Sequence, residues 1–159
     1  MMVFMAAALW IFNRGRHLQN AIVAVLLPLG TTPAVEADEV LASLAYVAAL
    51  GPAVVQIETQ TGLGSGFIYD ESGLILTASH VTDGATTVNV RMADGTKIEG
   101  RVLGSDPSTD VAVVKIDASA LQAVKIGDPA RIRVGEWVLA IGSPFGFENT
   151  VTAGIVSAT

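Results

Sequence analysis

A histidine and an aspartate are the two residues of this 159-residue chain best suited to proton-transfer chemistry. His80 follows an apolar run that ends at Thr77, and its neighbours Ala78 and Ser79 are small enough to let another chain segment approach closely. The other histidine, His17, lies in an N-terminal segment of different character. A histidine at a strand end beside a cleft can act as a general base, because the imidazole then reaches a substrate proton. We therefore predict a general base at His80.

Asp110 is the carboxylate that we pair with this histidine. It opens the apolar stretch Val111 to Ile116, where a carboxylate is expected to be partly buried and to need a partner. A histidine that donates its Nδ1–H would satisfy the carboxylate, which would in return fix the ring tautomer and stabilise the protonated ring. Asp106 is the competing candidate, but it precedes Pro107 and has the pattern of a turn residue that binds local backbone.

No serine of the chain is convincing as the nucleophile that such a pair would activate. Ser65 lies between two glycines at the entry to a strand, where we expect the glycines to serve close backbone packing. Ser143 precedes Pro144, which lacks the backbone N–H that an oxyanion hole often uses. Ser79 is adjacent to the histidine and would point away from it on a regular backbone.

The composition excludes several other kinds of chemistry. A net charge of −6, with scattered lysines and arginines, provides no basic stripe for nucleic acid. The absence of cysteine removes thiol nucleophiles, thiolate zinc sites and disulfides. With one histidine outside the N-terminal segment, a metal would have only scattered carboxylates as ligands, so we expect neither a metal nor a cofactor.

Residues 1–37 have the pattern of a targeting segment. Two arginines precede the apolar run Ala21 to Gly30, and the small residues Val35 and Ala37 fit a signal peptidase site with cleavage after Ala37. The apolar runs are shorter than the ~18 residues that cross a bilayer. A further apolar stretch precedes the arginines, so the segment is predicted to be either a signal peptide or a membrane anchor. An exported chain without cysteine fits the bacterial periplasm better than a disulfide-bonded animal secretion.

The rest of the chain has the pattern of one short helix followed by strands. Apolar residues repeat at helical spacing from Asp38 to Leu50, and Gly51-Pro52 ends that pattern. Short β-branched stretches then alternate with turns rich in glycine and aspartate, which is typical of an antiparallel β-barrel. The clearest turn signal is Asp94-Gly95, between two stretches of alternating apolar and polar residues. We predict strands at 53–57, 66–69, 74–77, 88–92, 98–102, 111–116, 137–141 and 150–156.

These strands predict two units of unequal completeness. A barrel needs about six strands to close, and residues 53–125 supply that number. We assign residues 38–126 to a first barrel and residues 127–159 to the start of a second. The second unit would have about two or three strands, which would leave sheet edges unpaired and an apolar face uncovered. We therefore expect a chain that is cut in mid-domain.

Several short blocks carry a recognisable pattern in the following order: Gly51-Pro52-Ala53-Val54-Val55, Gly62-Leu63-Gly64-Ser65-Gly66-Phe67, Leu76-Thr77-Ala78-Ser79-His80-Val81, Asp106-Pro107-Ser108-Thr109-Asp110-Val111-Ala112-Val113, Val138-Leu139-Ala140-Ile141-Gly142-Ser143-Pro144-Phe145-Gly146 and Thr150-Val151-Thr152-Ala153-Gly154-Ile155-Val156-Ser157-Ala158. With these blocks, residues 39–159 resemble the amino-terminal part of the protease domain of the HtrA/Deg serine proteases. The resemblance implies an all-β fold, a trypsin-like double antiparallel β-barrel. The first barrel would be nearly complete and the second truncated, after a short N-terminal helix.

The resemblance also implies roles for the two candidate residues, with His80 as the general base and Asp110 as its orienting partner. The family comprises ATP-independent endopeptidases of envelope quality control, which cleave misfolded polypeptides, often as homotrimers and often with carboxy-terminal PDZ domains. Its nucleophilic serine lies in a Gly-Asn-Ser-Gly-Gly segment, which in this protein would follow Thr159. We therefore expect a fragment of an exported serine endopeptidase that is inactive by itself.

The alternative is a non-catalytic polypeptide-binding module, or pseudoprotease. Its open sheet edge would accept a strand of an unfolded partner by β-augmentation. An edge left open for function is expected to carry charges or proline that protect it, and Val151 to Thr159 contains neither. The sequence therefore favours the truncated enzyme over the binding module.

Overall fold

The computed structural model describes residues 6–8, 23–26, 37–60, 62–143 and 150–159. Strands β3 to β8 of this part close into a barrel, and β1, β2, β9 and β10 form a second sheet. The mostly-β architecture with a short N-terminal helix agrees with the predicted fold class. The elements, in chain order, are β1 Ala6–Ala8, β2 Val23–Leu26, α1 Ala37–Leu50, β3 Val54–Glu58, β4 Leu63–Ile68, β5 Leu74–Thr77, α2 Ser79–Thr82, β6 Thr87–Arg91, β7 Lys97–Asp106, β8 Val111–Ile116, β9 Trp137–Gly142 and β10 Thr150–Ile155.

Helix α1 is the helix that the apolar spacing predicts, and it begins one residue before the predicted start. Its last residue, Leu50, is buried in an apolar cluster, and Tyr46 and Val47 pack against the same cluster. A 3-10 turn that contains Pro52 follows directly. Because proline has no N–H to donate, it favours the end of a helix, and the chain leaves α1 here to enter β3.

The barrel strands follow the order β3-β4-β5-β8-β7-β6, and each neighbouring pair is antiparallel. The predicted turn at Asp70 to Gly73 joins β4 to β5, and the predicted turn at Asp94-Gly95 joins β6 to β7. Gly95 has a φ of 85°, a conformation that glycine adopts without a steric penalty. Asp94 adds a hydrogen bond from the N–H of Thr96, at 2.8 Å, so both residues of the dipeptide favour the turn.

The barrel interior is filled by valine and isoleucine side chains. Strand β8 lies between β5 and β7, and its burial alternates. Ala112, Val114 and Ile116 face the interior, while Lys115 lies on the other face. Each fully buried valine or isoleucine side chain stabilises the fold by about 1.5–3 kcal/mol.

The second sheet packs against one side of the barrel. β10 pairs with β9 so that Ile155 lies opposite Trp137, and β2 pairs with the other edge of β9. Leu139 and Ile141 of β9 are buried in the cluster that also contains Leu50 of α1. The predicted strands at 137–141 and 150–156 are therefore present, while a domain boundary between residues 126 and 127 stays a prediction.

The predicted targeting segment, residues 1–37, lies largely outside the described residues. Its described parts are β1, β2 and Ala37, which is the first residue of α1. β1 pairs with β2, and β2 pairs with β9. A search of the described helices finds none that is both long enough and apolar enough to cross a membrane. Cleavage after Ala37 and membrane anchoring both stay predictions.

Candidate active site

The register of the sheet brings the two predicted residues to the same end of the barrel. Thr77, the last residue of β5, lies opposite Ala112 of β8. The chain that leaves β5 and the chain that enters β8 therefore run side by side. His80 follows Thr77 closely, and Asp110 shortly precedes Ala112, so the strand pairing itself places them near each other.

His80 lies on the single helical turn α2. Ala78 precedes this turn in an extended conformation, with a ψ of 144°, and Asp83 ends it in the left-handed region, with a φ of 38°. The Asp83 N–H and the Thr82 hydroxyl both donate to the carbonyl of Ser79. The other residues of α2 are buried, so the imidazole is the side chain that this turn presents to solvent.

A glycine on β4 makes room for α2. A Cβ atom added at Gly64 would lie 2.5 Å from both Cγ atoms of Val81, a distance that real Cβ atoms essentially never show. At Gly66 an added Cβ would lie 3.0 Å from the carbonyl oxygen of Leu76. The two glycines around Ser65 therefore serve close packing, as the sequence predicts.

Asp110 ends a tight turn that is built around Asp106. Oδ1 of Asp106 accepts hydrogen bonds from the N–H and the hydroxyl of Ser108, at 2.9 and 2.7 Å. Oδ2 accepts a hydrogen bond from the hydroxyl of Thr109 at 2.8 Å. These donors, with the Ser108 hydroxyl first, hold the pKa of Asp106 below its ordinary value of 3.8. Asp106 is thus the turn residue that the sequence predicts, and Asp110 follows with a φ of 55°.

The carboxylate of Asp110 contacts the imidazole of His80. Nδ1 of His80 lies 2.8 Å from Oδ2 and 3.0 Å from Oδ1. The backbone N–H of His80 also donates to Oδ1, at 3.0 Å. The N–H of Ser79 donates to the carbonyl of Asp110 at 3.1 Å. The turn before β8 therefore holds both the backbone and the ring of the histidine.

This contact assigns the tautomer of the ring. A carboxylate only accepts hydrogen bonds, so in the neutral ring Nδ1 carries the hydrogen and Nε2 has the lone pair. The side chain of His80 is 48 % exposed, and that of Asp110 is 20 % exposed. Nε2 is therefore the atom that is available to take a proton, and the partly buried carboxylate is placed to stabilise the imidazolium that would form.

The three serines that the sequence singles out have structural contacts. Ser65 is fully buried, and its carbonyl accepts a hydrogen bond from the hydroxyl of Thr77 at 2.8 Å. The Ser65 hydroxyl accepts a hydrogen bond from the N–H of Ser143 at 2.9 Å. Ser79 is buried in α2 and donates its N–H to Asp110. None of these contacts directs a serine hydroxyl at Nε2 of His80.

A buried polar contact that the sequence analysis missed joins the barrel to the end of β9. Gln56 of β3 is 2 % exposed, and its Nε2 donates to the carbonyl of Ser143 at 3.2 Å. Together with the Ser65 hydroxyl, it holds both the N–H and the carbonyl of Ser143. The sequence signal was Gln56 itself, a polar residue within the apolar stretch Ala53 to Ile57. Because buried polar groups almost always have hydrogen-bond partners, such a residue indicates a buried contact.

The sequence predicts neither a metal nor a cofactor. Within the described ranges, no three His, Cys, Asp or Glu residues are grouped so that they could hold a metal ion. The His80–Asp110 pair itself is suited to proton transfer.

The sequence of the chain matches a known protein family. The family of the trypsin-like peptidase domain matches residues 64–159, a range that begins at the second residue of β4 and includes β5 to β10 and both members of the pair. The chain belongs to the trypsin-like peptidases. Its relatives and its structural neighbours are of the HtrA type, which is the type that the sequence blocks predict.

Two curated relatives are identical to this HtrA-type chain at about half of the matched residues. A periplasmic serine endoprotease, DegP-like, from a Marinomonas species is 53% identical over 100 residues, which make up 63% of this chain and 21% of that protein. The serine protease HhoB from a Synechocystis species is 52% identical over 99 residues, which make up 62% of this chain and 24% of that protein. The matched part of this chain spans less than a quarter of either relative.

Two solved structures share the fold. An HtrA-type protease with a tripeptide has a TM-score of 0.66 and 44% identity, over 71% of this chain and 38% of that one. The serine endoprotease from Yersinia pestis has a TM-score of 0.66 and 42% identity, over 71% of this chain and 43% of that one. The predicted trypsin-like fold is therefore confirmed. The predicted periplasmic or exported location agrees with the names of several curated relatives.

Proposed function

We propose that this HtrA-type chain is part of an exported serine endopeptidase in which His80 is the general base and Asp110 its orienting partner. The observation that carries the proposal is the contact of 2.8 Å between Nδ1 of His80 and Oδ2 of Asp110. It gives the ring the tautomer that a general base needs, with Nε2 free to take a proton. Membership of the trypsin-like peptidases supports peptide hydrolysis as the reaction.

In the proposed reaction, Nε2 of His80 takes the proton of a serine hydroxyl while the serine oxygen attacks the carbonyl carbon of a peptide bond. The protonated ring then gives this proton to the leaving amine, and a water molecule, activated by the same nitrogen, hydrolyses the acyl-enzyme. Asp110 stabilises the ring while it is charged. Backbone N–H groups would stabilise the oxyanion, and the loss of one such donor typically costs roughly 3 kcal/mol.

We further propose that the nucleophilic serine belongs to a Gly-Asn-Ser-Gly-Gly segment encoded beyond Thr159. The structural contacts of Ser65, Ser79 and Ser143 support this proposal, as does the small share of each relative that the chain spans. On this proposal, residues 1–159 alone have no peptidase activity, because the pair has no serine to activate.

The proposed substrates are unfolded or misfolded polypeptides of the cell envelope. Relatives named as periplasmic endoproteases support polypeptides as substrates and the periplasm as the compartment. Assembly into a homotrimer, and export through residues 1–37 as a signal peptide or anchor, belong to the same proposal. The net charge of −6 agrees with a protein that does not act on nucleic acid.

The experiment begins with the coding sequence downstream of Thr159. We expect the reading frame to continue into a Gly-Asn-Ser-Gly-Gly-like segment. The full protein should then degrade a permanently unfolded protein substrate, and His80→Ala should abolish that degradation. A His80→Ala protein that degrades the substrate at the wild-type rate would overturn the proposal.

The binding module is the second candidate, and the exposure of β10 is the observation that favours it. In the described part of the chain, β10 is the last strand of its sheet, and most of its residues are exposed. A free strand edge of this kind can accept an added strand. A stop codon directly after Thr159, together with binding of unfolded polypeptide that His80→Ala leaves unchanged, would favour this function over the peptidase.

A further inference from the structure

Two carboxylates of the barrel build nearly the same turn at different places. At Asp70, Oδ1 accepts the N–H and the hydroxyl of Ser72, at 2.9 and 2.6 Å. At Asp106, Oδ1 accepts the N–H and the hydroxyl of Ser108, at 2.9 and 2.7 Å. In the first turn the positive φ, 97°, is at Gly73, three residues after the aspartate, whereas the second turn is one residue longer and has its positive φ, 55°, at Asp110. The second turn thus has its left-handed conformation at a residue that has a side chain.

The left-handed conformation of Asp110 has a specific geometric result. A non-glycine residue in this region costs on the order of 1–3 kcal/mol and persists only where its surroundings hold it. In this conformation both the carbonyl and the carboxylate of Asp110 face α2. The carbonyl accepts a hydrogen bond from the N–H of Ser79, and the carboxylate accepts hydrogen bonds from the backbone N–H and the ring Nδ1–H of His80. If the backbone of Asp110 relaxed to a negative φ, these two groups would no longer face α2 together.

We propose that Asp106 is a positioning residue that holds Asp110 in this conformation and thereby holds the tautomer and orientation of His80; the inference rests on the proposed function. Its oxygens fix the two residues that lead into Asp110, since Oδ1 binds Ser108 and Oδ2 binds the Thr109 hydroxyl. Asp106 does not touch the imidazole, so it acts through Asp110. The turn at Asp70 has the matching hydrogen bonds to Ser72 but adjoins no residue of the pair.

The first test uses the chain of residues 1–159 and needs no peptidase activity. The Nδ1–H proton of His80, hydrogen-bonded to a carboxylate, is expected to give a low-field resonance in the proton NMR spectrum, and Asp110→Asn identifies it by removing it. We expect Asp106→Ala to abolish this resonance and Asp70→Ala, the matched control, to retain it. Retention of the resonance in Asp106→Ala would overturn the inference.

A milder variant keeps the inference testable if Asp106→Ala does not fold. Asp106→Asn retains an amide oxygen that can accept from Ser108, but its amide nitrogen cannot accept from the Thr109 hydroxyl. We expect the low-field resonance to broaden and to exchange with water faster than in the wild-type chain. An exchange rate equal to that of the wild-type chain would contradict a positioning role for the Oδ2 contact.

The second test uses the full protein. We expect Asp106→Ala to lower kcat on the order of 10-fold to 100-fold with KM nearly unchanged, because a small displacement of a catalytic group reduces the rate by such factors. Asp70→Ala should keep the wild-type kcat. If His80→Ala is inactive but Asp106→Ala matches Asp70→Ala, the positioning role alone is wrong. If His80→Ala is active, the proposed function itself is wrong.

Discussion

The carboxylate of Asp110 binds His80 at both its backbone N–H and its ring Nδ1, at 3.0 and 2.8 Å. The residue before α2, Ala78, provides no side-chain cap for this helical turn. Asp110 supplies the missing acceptors from a distant part of the sequence, with its carbonyl on Ser79 and its carboxylate on His80. Asp110 therefore both caps the N-terminus of α2 and orients the imidazole of His80.

Replacing Asp110 with asparagine should separate these two roles. The amide oxygen can still accept the His80 N–H, so the chain should fold, whereas the amide nitrogen would favour the wrong ring tautomer. In the full protein we expect Asp110→Asn to lower kcat by about 10⁴-fold. Asp117→Asn is the matched control, because Asp117 is 92 % exposed and loses the same charge. Equal kcat values for the two variants would contradict the role of Asp110.

Alanine at Gly64 should disturb the site through packing. Its Cβ would overlap the branched side chain of Val81, which cannot swing away as a long flexible chain would. We expect Gly64→Ala to lower the free energy of unfolding by about 1–3 kcal/mol, as overpacking of a close contact does. Gly62→Ala is the control, because an added Cβ there meets nothing within 4 Å. Urea unfolding of both variants measures the difference, and equal stabilities would contradict the packing argument.

The buried hydroxyl of Ser65 should stabilise the contact between the barrel and the end of β9. Ser65→Ala removes the acceptor of the Ser143 N–H, and we expect it to cost about 1–3 kcal/mol and to speed hydrogen exchange of that amide. Ser143→Ala is the control, since the bond uses the backbone of Ser143 and survives the change. If Ser143→Ala speeds exchange of that amide as much as Ser65→Ala does, the contact does not act as we describe.

Acid should weaken the barrel through its turn carboxylates. Hydrogen bonds from Ser72, Thr96 and Ser108 lower the pKa values of Asp70, Asp94 and Asp106 below the ordinary 3.8. The folded chain thus binds these protons more weakly than the unfolded chain, so the stabilisation is complete well above pH 3.8 and is lost as pH falls through the lowered values. Urea unfolding at several pH values should show this loss, and replacing the three aspartates with asparagine should reduce it. An unchanged pH dependence would contradict the assignment.

The hairpins of the barrel could be predicted because their residues determine local backbone geometry. Asp94-Gly95 occupies the turn that its composition predicts, and the alternation of apolar residues on β6 matches its alternating burial. The end of strand β7 was harder to predict, because a bulge between Val102 and Gly104 lets the strand continue to Asp106. The alternating pattern breaks at such a bulge, so the sequence predicts an earlier end.

The finer geometry of the site could not be predicted, because it depends on contacts between distant residues. Helix α2 is one turn long and owes its N-terminal hydrogen bonds to Asp110, so no local pattern reveals it. The left-handed φ of Asp110 similarly depends on the turn at Asp106 and on α2. Residue types were enough to identify His80 and Asp110 as candidates, but not to describe how the backbone holds them.

The most direct test of the account is labelling of the full protein by an alkyl fluorophosphonate, which loses fluoride when the oxygen of an activated serine attacks its phosphorus. A serine becomes reactive towards such a probe when a histidine base removes its proton. We predict labelling of one serine encoded beyond Thr159, found by mass spectrometry of the digested protein, and loss of this labelling in His80→Ala. Labelling that persists in His80→Ala, or a wild-type protein that is not labelled, would contradict the assignment of His80 as the base of a serine endopeptidase.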